Sequence, residues 1–236
     1  ISNFKSNRRG LFSLWIFLFF FGMTLFAEVI ANDKPLFLRF NGNLYLPIFT
    51  IYPETAFGGE FETEADYRDE YVAKLINKNG WMVWPPVCFS YDTVNYNLPT
   101  PAPSPPDLEN WLGTDDQGRD VVARLIYGFR ISVLFGLTLT MISALIGVSV
   151  GAFQGFYGGL LDLLGQRFIE IWAGMPVLYL LIILASIITP NFWWLLGLLL
   201  LFSWMGFVGV VRAEFLRARN LDFVRAARAL GVSDIS

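Results

Sequence analysis

Chemistry in a chain of 236 residues has to rest on nucleophiles, titratable side chains or phosphate cradles, and here each is scarce. There is no histidine, which removes histidine general bases, serine–histidine triads and histidine-ligated metals. Cys88 is the sole cysteine, so neither an internal disulfide nor a thiolate metal cluster can form. No Gly-x-x-x-x-Gly-Lys-Ser/Thr run is present, and the chain cannot by itself build the phosphate cradle of a P-loop ATPase. Nor does an ionisable residue fall in the middle of an apolar run, where its insertion costs roughly 2.5–3.5 kcal/mol and usually marks an ion relay; Glu28 sits at the end of one. The expectation is a protein that is not an enzyme, holds no metal and no cofactor, and takes its energy from a partner.

What spacing does offer is surface. Residues 217–234 carry Arg217, Arg219, Asp222, Arg225, Ala226, Ala227, Arg228 and Gly231, a helix with small side chains that stops at a glycine able to adopt the left-handed cap. Such a helix can act as a peg over which another protein closes, or as a basic juxtamembrane helix on anionic lipid. Ser143, Gly147, Gly151 and Gly155 recur every four residues and line one helical ridge, which permits close helix approach within this chain or against a partner subunit. Arg167 and Glu170 form an i,i+3 pair that reads as structural.

The elements that must carry these surfaces follow from charge distribution. The composition is 55% hydrophobic and 16% charged, and residues 10–27, 131–161 and 171–211 contain no Asp, Glu, Lys or Arg. Since about 20 apolar residues cross the hydrocarbon core, these windows predict one, one and two spans. Lys5, Arg8 and Arg9 precede the first span, whereas residues 31–120 hold fourteen acids against six bases (Lys34, Arg39, Arg68, Lys74, Lys78, Arg119), so the N-terminus is expected in the cytoplasm. The arginines after residue 211 return the chain to the same side. Net charge is −3 and gives no case for nucleic acid. A cleaved signal peptide is the other reading of residues 11–27, but its core exceeds the roughly 7–15 residues of that type and lacks a small-x-small cleavage triplet.

Between the first two spans, residues 31–98 are polar enough to fold in water. Asn41-Gly42 lies between β-favouring runs and predicts a hairpin, Phe61, Tyr67, Tyr71 and Leu75 have weak helical spacing, and residues 81–96 return to aromatic and β-branched types. Five prolines within residues 99–106 predict a stiff extended spacer. Residues 120–130 predict an amphipathic lead-in helix at the outer surface with Val121, Leu125 and Phe129 as its stripe. Residues 155–159 predict an inner turn, Pro176 a kink in the third span, and Pro190-Asn191 the outer loop before Trp193 and Trp194. The fold class is therefore an all-α polytopic membrane protein with a small α+β extracytoplasmic insertion between the first and second transmembrane helices. Its parts are residues 1–30, 31–98, a spacer at 99–118, and a core at 119–236 with helices near 131–153, 168–189 and 192–211 and a terminal motif at 213–236.

Two stretches carry a family resemblance. Ala227 and Gly231, four apart and preceded by Ala226, resemble the coupling (EAA) motif of binding-protein-dependent ABC importers, although Arg225 stands where the leading glutamate is usual. Gly113, Thr114, Asp115, Gly118, Arg119 and Asp120, followed by Arg124 and residues 125–132, resemble the stretch before the second span of dipeptide and oligopeptide permeases. The resemblance covers about residues 111–236 and the first helix, and with residues 165–170 and the long insertion it is most similar to the Yej-type branch associated with microcin C and peptide uptake. It implies a MetI-like core, a second permease completing the pore, cytoplasmic ATPase subunits, an extracytoplasmic solute-binding protein and a bacterial inner membrane. It also implies an ATPase-coupling role for Asp222, Arg225, Ala226, Ala227 and Gly231. Because the chain starts at Ile1 and stops at Ser236, before the Ile-x-Leu-Pro and the last two spans of such permeases, a fragment incomplete at its C-terminus is expected. The competing expectation is a membrane-tethered extracytoplasmic sensor or binding module working through residues 31–98, which leaves both resembling stretches unexplained.

Overall fold

A computed structural model describes residues 7–189 and 191–231, apart from the side chains of Ala227 and Arg228. The chain divides into two compact units, residues 1–133 and 134–236. In the first, α1 (Arg8–Leu25) is capped by Asn7, whose Oδ1 accepts from Gly10 N, and a one-turn helix α2 (Ala27–Ile30) follows. Strands β1 (Phe37–Phe40), β2 (Asn43–Tyr45) and β3 (Gly80–Val83) form an antiparallel sheet in the order β2-β1-β3. Asn41 and Gly42 turn the hairpin with φ of 49° and 86°, the left-handed pair that matches strand twist. A Cβ on Gly80 would run into the β1 backbone, 3.1 Å from Phe40 Cα, so only glycine fits where β3 begins.

Helix α3 (Glu70–Asn79) starts at Asp69, whose side chain accepts from Tyr71 N at 2.8 Å and Val72 N at 3.2 Å. It buries Val72 and Ile76 against Leu38, Phe40, Phe57, Ala65 and Tyr67. The expected stripe was displaced: Phe61 and Tyr67 precede the helix and Tyr71 points outward. Burial pushes the Tyr67 hydroxyl pKa up, and that oxygen has no hydrogen-bond partner among the described residues. A second core joins Ala27 and Ala31 to Val87, Phe89, Ala123, Ile126 and Tyr127.

The long helix α4 (Val121–Tyr157) begins in this unit and continues into the next. It corrects the expectation of a separate lead-in, because no proline or capping signal interrupts residues 121–157. Its buried face also differs from the expected Val121, Leu125 and Phe129. Residues 27–31 and 87–89 cover Ala123, Ile126 and Tyr127 instead, while Phe129 meets the α1 ring of Phe17 at 6.0 Å.

In the second unit, α5 (Gly159–Ala173) and α6 (Val177–Ile187) meet at 61° across a break that ends in Pro176. The ring removes an amide donor and clashes with the preceding turn, so the expected kink is a full break. α7 (Phe192–Ser203) is capped by Asn191, whose Oδ1 accepts from Trp194 N at 2.9 Å, and passes at Trp204 into α8 (Met205–Ala218). Pro190, the other half of the expected outer break, lies outside the described residues. The helix expected near 168–189 thus starts earlier and is split, and the one near 192–211 runs on to Ala218. The inner turn is shorter than expected: α4 continues through Gly155, and only Gly158 and Gly159, with φ of 63° and 58°, turn the chain. Among the described residues three helical stretches are long and apolar enough to cross a membrane, Arg8–Leu25, Val121–Tyr157 and Phe192–Ala218, and the bent pair α5–α6 makes a fourth if it counts as one span.

Candidate functional site

The stretch preceding the membrane part of α4 is a closed polar scaffold. Asp120 is fully buried; its Oδ1 accepts from Ala123 N at 2.7 Å, which caps α4, and its Oδ2 accepts from Asn110 Nδ2 at 2.9 Å. Asn110, equally buried, accepts through Oδ1 from Asn95 Nδ2 at 3.0 Å. Asp115 takes the amides of Gln117 and Arg119, both at 2.9 Å, and the guanidinium groups of Arg119 and Arg124. Thr114 is joined to Ser104 twice, accepting from Ser104 N at 2.9 Å and donating its own amide to Ser104 O at 3.0 Å. Gly113 and Gly118 hold φ of 74° and 79°, and a Cβ on Gly113 would press into the backbone of Pro105. The proline-rich segment is therefore no free spacer, since Ser104 is buried in this scaffold. Asn95, Asn110 and Ser104 escaped the sequence analysis because isolated polar residues in loops carry no periodicity.

Arg130, the tenth residue of α4, forms a two-pronged pair with Glu28, with contacts of 2.9 Å at each carboxylate oxygen. The hydrogen bond from Arg130 is the main reason the Glu28 carboxyl lies below its ordinary range; partial burial opposes it. Near Phe89, over whose ring Arg68 lies at 3.9 Å, burial pushes the Cys88 thiol pKa up, which makes it a poor nucleophile.

The small-residue ridge of α4 meets α7 and α8 of its own unit. Ser143 Oγ hydrogen-bonds Ser203 Oγ. A Cβ on Gly147 would come 2.7 Å from Phe207 Cβ, on Gly151 2.8 Å from Val208 O, and on Gly155 2.6 Å from Phe215 Cβ. All are nearer than side-chain packing allows, so glycine is what lets the two backbones approach.

Beyond α8, helix α9 (Asp222–Ala229) holds the residues expected to couple. Asp222, Arg225 and Ala226 are exposed, as is Gly231, which ends the helix with φ of 79°. The side chain of Ala227 lies outside the described residues. Phe223 and Leu230, seven apart and so on one face with Ala226 between them, are 70% and 85% exposed. An exposed apolar stripe on a basic helix suits burial against another molecule. Among the described residues no three of His, Cys, Asp and Glu converge as metal ligands.

These surfaces have close relatives among known proteins. Residues 143–236 match the family described as binding-protein-dependent transport system inner membrane component. The chain is 56% identical over 235 residues to the inner membrane ABC transporter permease protein YejE of Escherichia coli, an alignment covering 100% of this chain and 69% of that protein. The chain belongs to this permease family. It is also 56% identical over 256 residues to the peptidoglycan transport system permease protein YejE of Agrobacterium fabrum, covering 98% of this chain and 67% of that one. The dipeptide transport system permease protein DppC of Bacillus subtilis is 36% identical over 127 residues, 54% of this chain and 40% of its own length. The permease is thus a multi-pass inner-membrane transport subunit of a binding-protein-dependent ABC importer, and ATP hydrolysis is the work of a separate subunit. The sensor alternative is set aside, because the similarity runs through both units rather than through residues 31–98 alone.

Proposed function

We propose that this permease forms half of a pore for peptides or peptide-like solutes, microcin C-like compounds included. A second permease completes the pore, and an extracytoplasmic solute-binding protein supplies it. The carrying observation is the 56% identity along the whole chain to YejE; the names of other relatives specify peptidoglycan, dipeptide and oligopeptide transport, whose shared chemistry is the peptide bond. The N-terminus and α9 lie in the cytoplasm in this reading, and residues 31–98 lie outside, where they meet the binding protein or cover the pore mouth. α9 docks in a groove of the ATPase through Phe223, Ala226, Ala227 and Leu230, flanked by Asp222 and Arg225, and nucleotide-driven closure becomes rigid-body rotation of the spans.

Gly231 ends the docking helix in a left-handed conformation that a bulky residue resists. In the full complex reconstituted in vesicles, Gly231→Trp is expected to abolish peptide uptake while leaving assembly of the two permeases intact. Uptake at the wild-type rate by an assembled Gly231→Trp complex would overturn the docking role.

A further inference from the structure

Two ionisable residues stand at the ends of uncharged runs: Asp162 is the first charge after residues 131–161, and Arg212 the first after residues 171–211. The fold brings them together. Arg212 Nη2 donates to Asp162 Oδ2 at 2.6 Å and Nε donates to Oδ1, a planar two-pronged match with both side chains partly buried. Around this pair the end of α4, the start of α5 and the middle of α8 are knitted. Gly151 and Gly155 leave room for Arg212, and a Cβ on either would lie 3.2 Å from its N or 3.3 Å from its Cα. The Arg219 guanidinium packs on Gly158, whose absent Cβ would be 3.2 Å from Arg219 Cζ. Gln166 Nε2 donates to Gln154 Oε1 at 2.7 Å, tying α5 to α4.

The connection from α8 to α9 is equally tight. Arg219 N donates to Phe215 O at 3.0 Å, Asn220 N to Arg217 O at 3.1 Å, Leu221 N to Ala218 O at 3.1 Å and Arg225 N to Leu221 O at 3.1 Å. Arg219, Asn220 and Leu221 are each tied back to the last turn of α8, and the first turn of α9 closes on Leu221, so displacement of α9 passes into α8 through a short hydrogen-bonded turn.

We propose that the Asp162–Arg212 pair, backed by Arg219 on Gly158, is the positioning element that makes α8, the end of α4 and the start of α5 move as one body when α9 is pushed. This rests on the transport reading above. Removing one partner leaves a partly buried charge without its mate beside apolar helices, and water then enters the joint. The helices remain packed through the glycine ridge, but α8 slides against α5 and the stroke is lost.

The test uses the complete transporter in vesicles, with assembly, binding-protein-stimulated ATP hydrolysis and peptide imported per ATP measured together. Asp162→Asn is expected to assemble and to hydrolyse ATP within about twofold of wild type, while peptide per ATP falls about tenfold. An assembled Asp162→Asn complex with wild-type peptide per ATP would overturn the proposal, as would equal falls in uptake and hydrolysis. If Asp162→Asn does not assemble, Asp162→Cys with Arg212→Cys in a Cys88→Ser background decides. A joint that stays closed imports normally when bridged by a short bis-maleimide, whereas a bridged complex that stops contradicts it. Failure of the transport reading is distinguishable, because the wild-type complex would then show no stimulation by the binding protein.

Discussion

Asp120 shows how a signature residue works through structure. One carboxylate caps α4 and satisfies Asn110, which in turn satisfies Asn95. Asp120→Ala removes the cap and leaves the buried Asn110 amide without its acceptor, a loss of about 2–4 kcal/mol that should appear as a clearly lowered melting temperature in detergent. Glu28 makes a pH-dependent contribution of known sign. Arg130 lowers its pKa in the folded protein, so the ion pair stabilises above the ordinary glutamate range and that contribution fades as pH falls through the lowered value. Glu28→Gln should therefore melt below wild type at neutral pH, and the gap should close in strong acid; a gap independent of pH would refute the assignment. The aspartates of this stretch were legible as a family signature. Asn110 was not, since nothing local distinguishes a buried loop asparagine from an exposed one.

Among the elements, the α4 ridge is the clearest case of sequence spacing dictating contact, because small residues every four positions leave one face flat. Gly155→Val would drive Cβ into Phe215 and Arg212, at a cost of about 1–3 kcal/mol, whereas Gly136, with open space around it, should accept alanine with a gain of about 0.5–1 kcal/mol. Melting temperatures of the two variants should move in opposite directions. The ridge, the Asn-Gly hairpin turn and a bend at Pro176, though not its full extent, were legible because each depends on local backbone or van der Waals geometry. The buried face of α4 near residue 126 was not. Leu125 and Ile126 head two neighbouring faces of similar apolarity, and the choice is made by Ala27, Ala31 and Phe89, distant in sequence. The length of α4 escaped for a related reason, as nothing in residues 119–131 signals where a lead-in helix would stop.

For the whole molecule, the uncharged runs and the absence of histidine already pointed to a membrane protein without catalysis of its own, and kinship with YejE places it among importer permeases. The pairing of Asp162 with Arg212 was present in the sequence as the charges that close two apolar runs, but only the fold joins them. The central claim is that a cytoplasmic ATPase drives this permease by holding α9. Its most direct test is cysteine cross-linking from Ala226→Cys in a Cys88→Ser background within intact membranes of cells making the complete transporter. The expected result is a cross-link to the ATPase subunit and no labelling by an impermeant maleimide added outside the cell. Labelling from outside, with no ATPase adduct, would contradict the account.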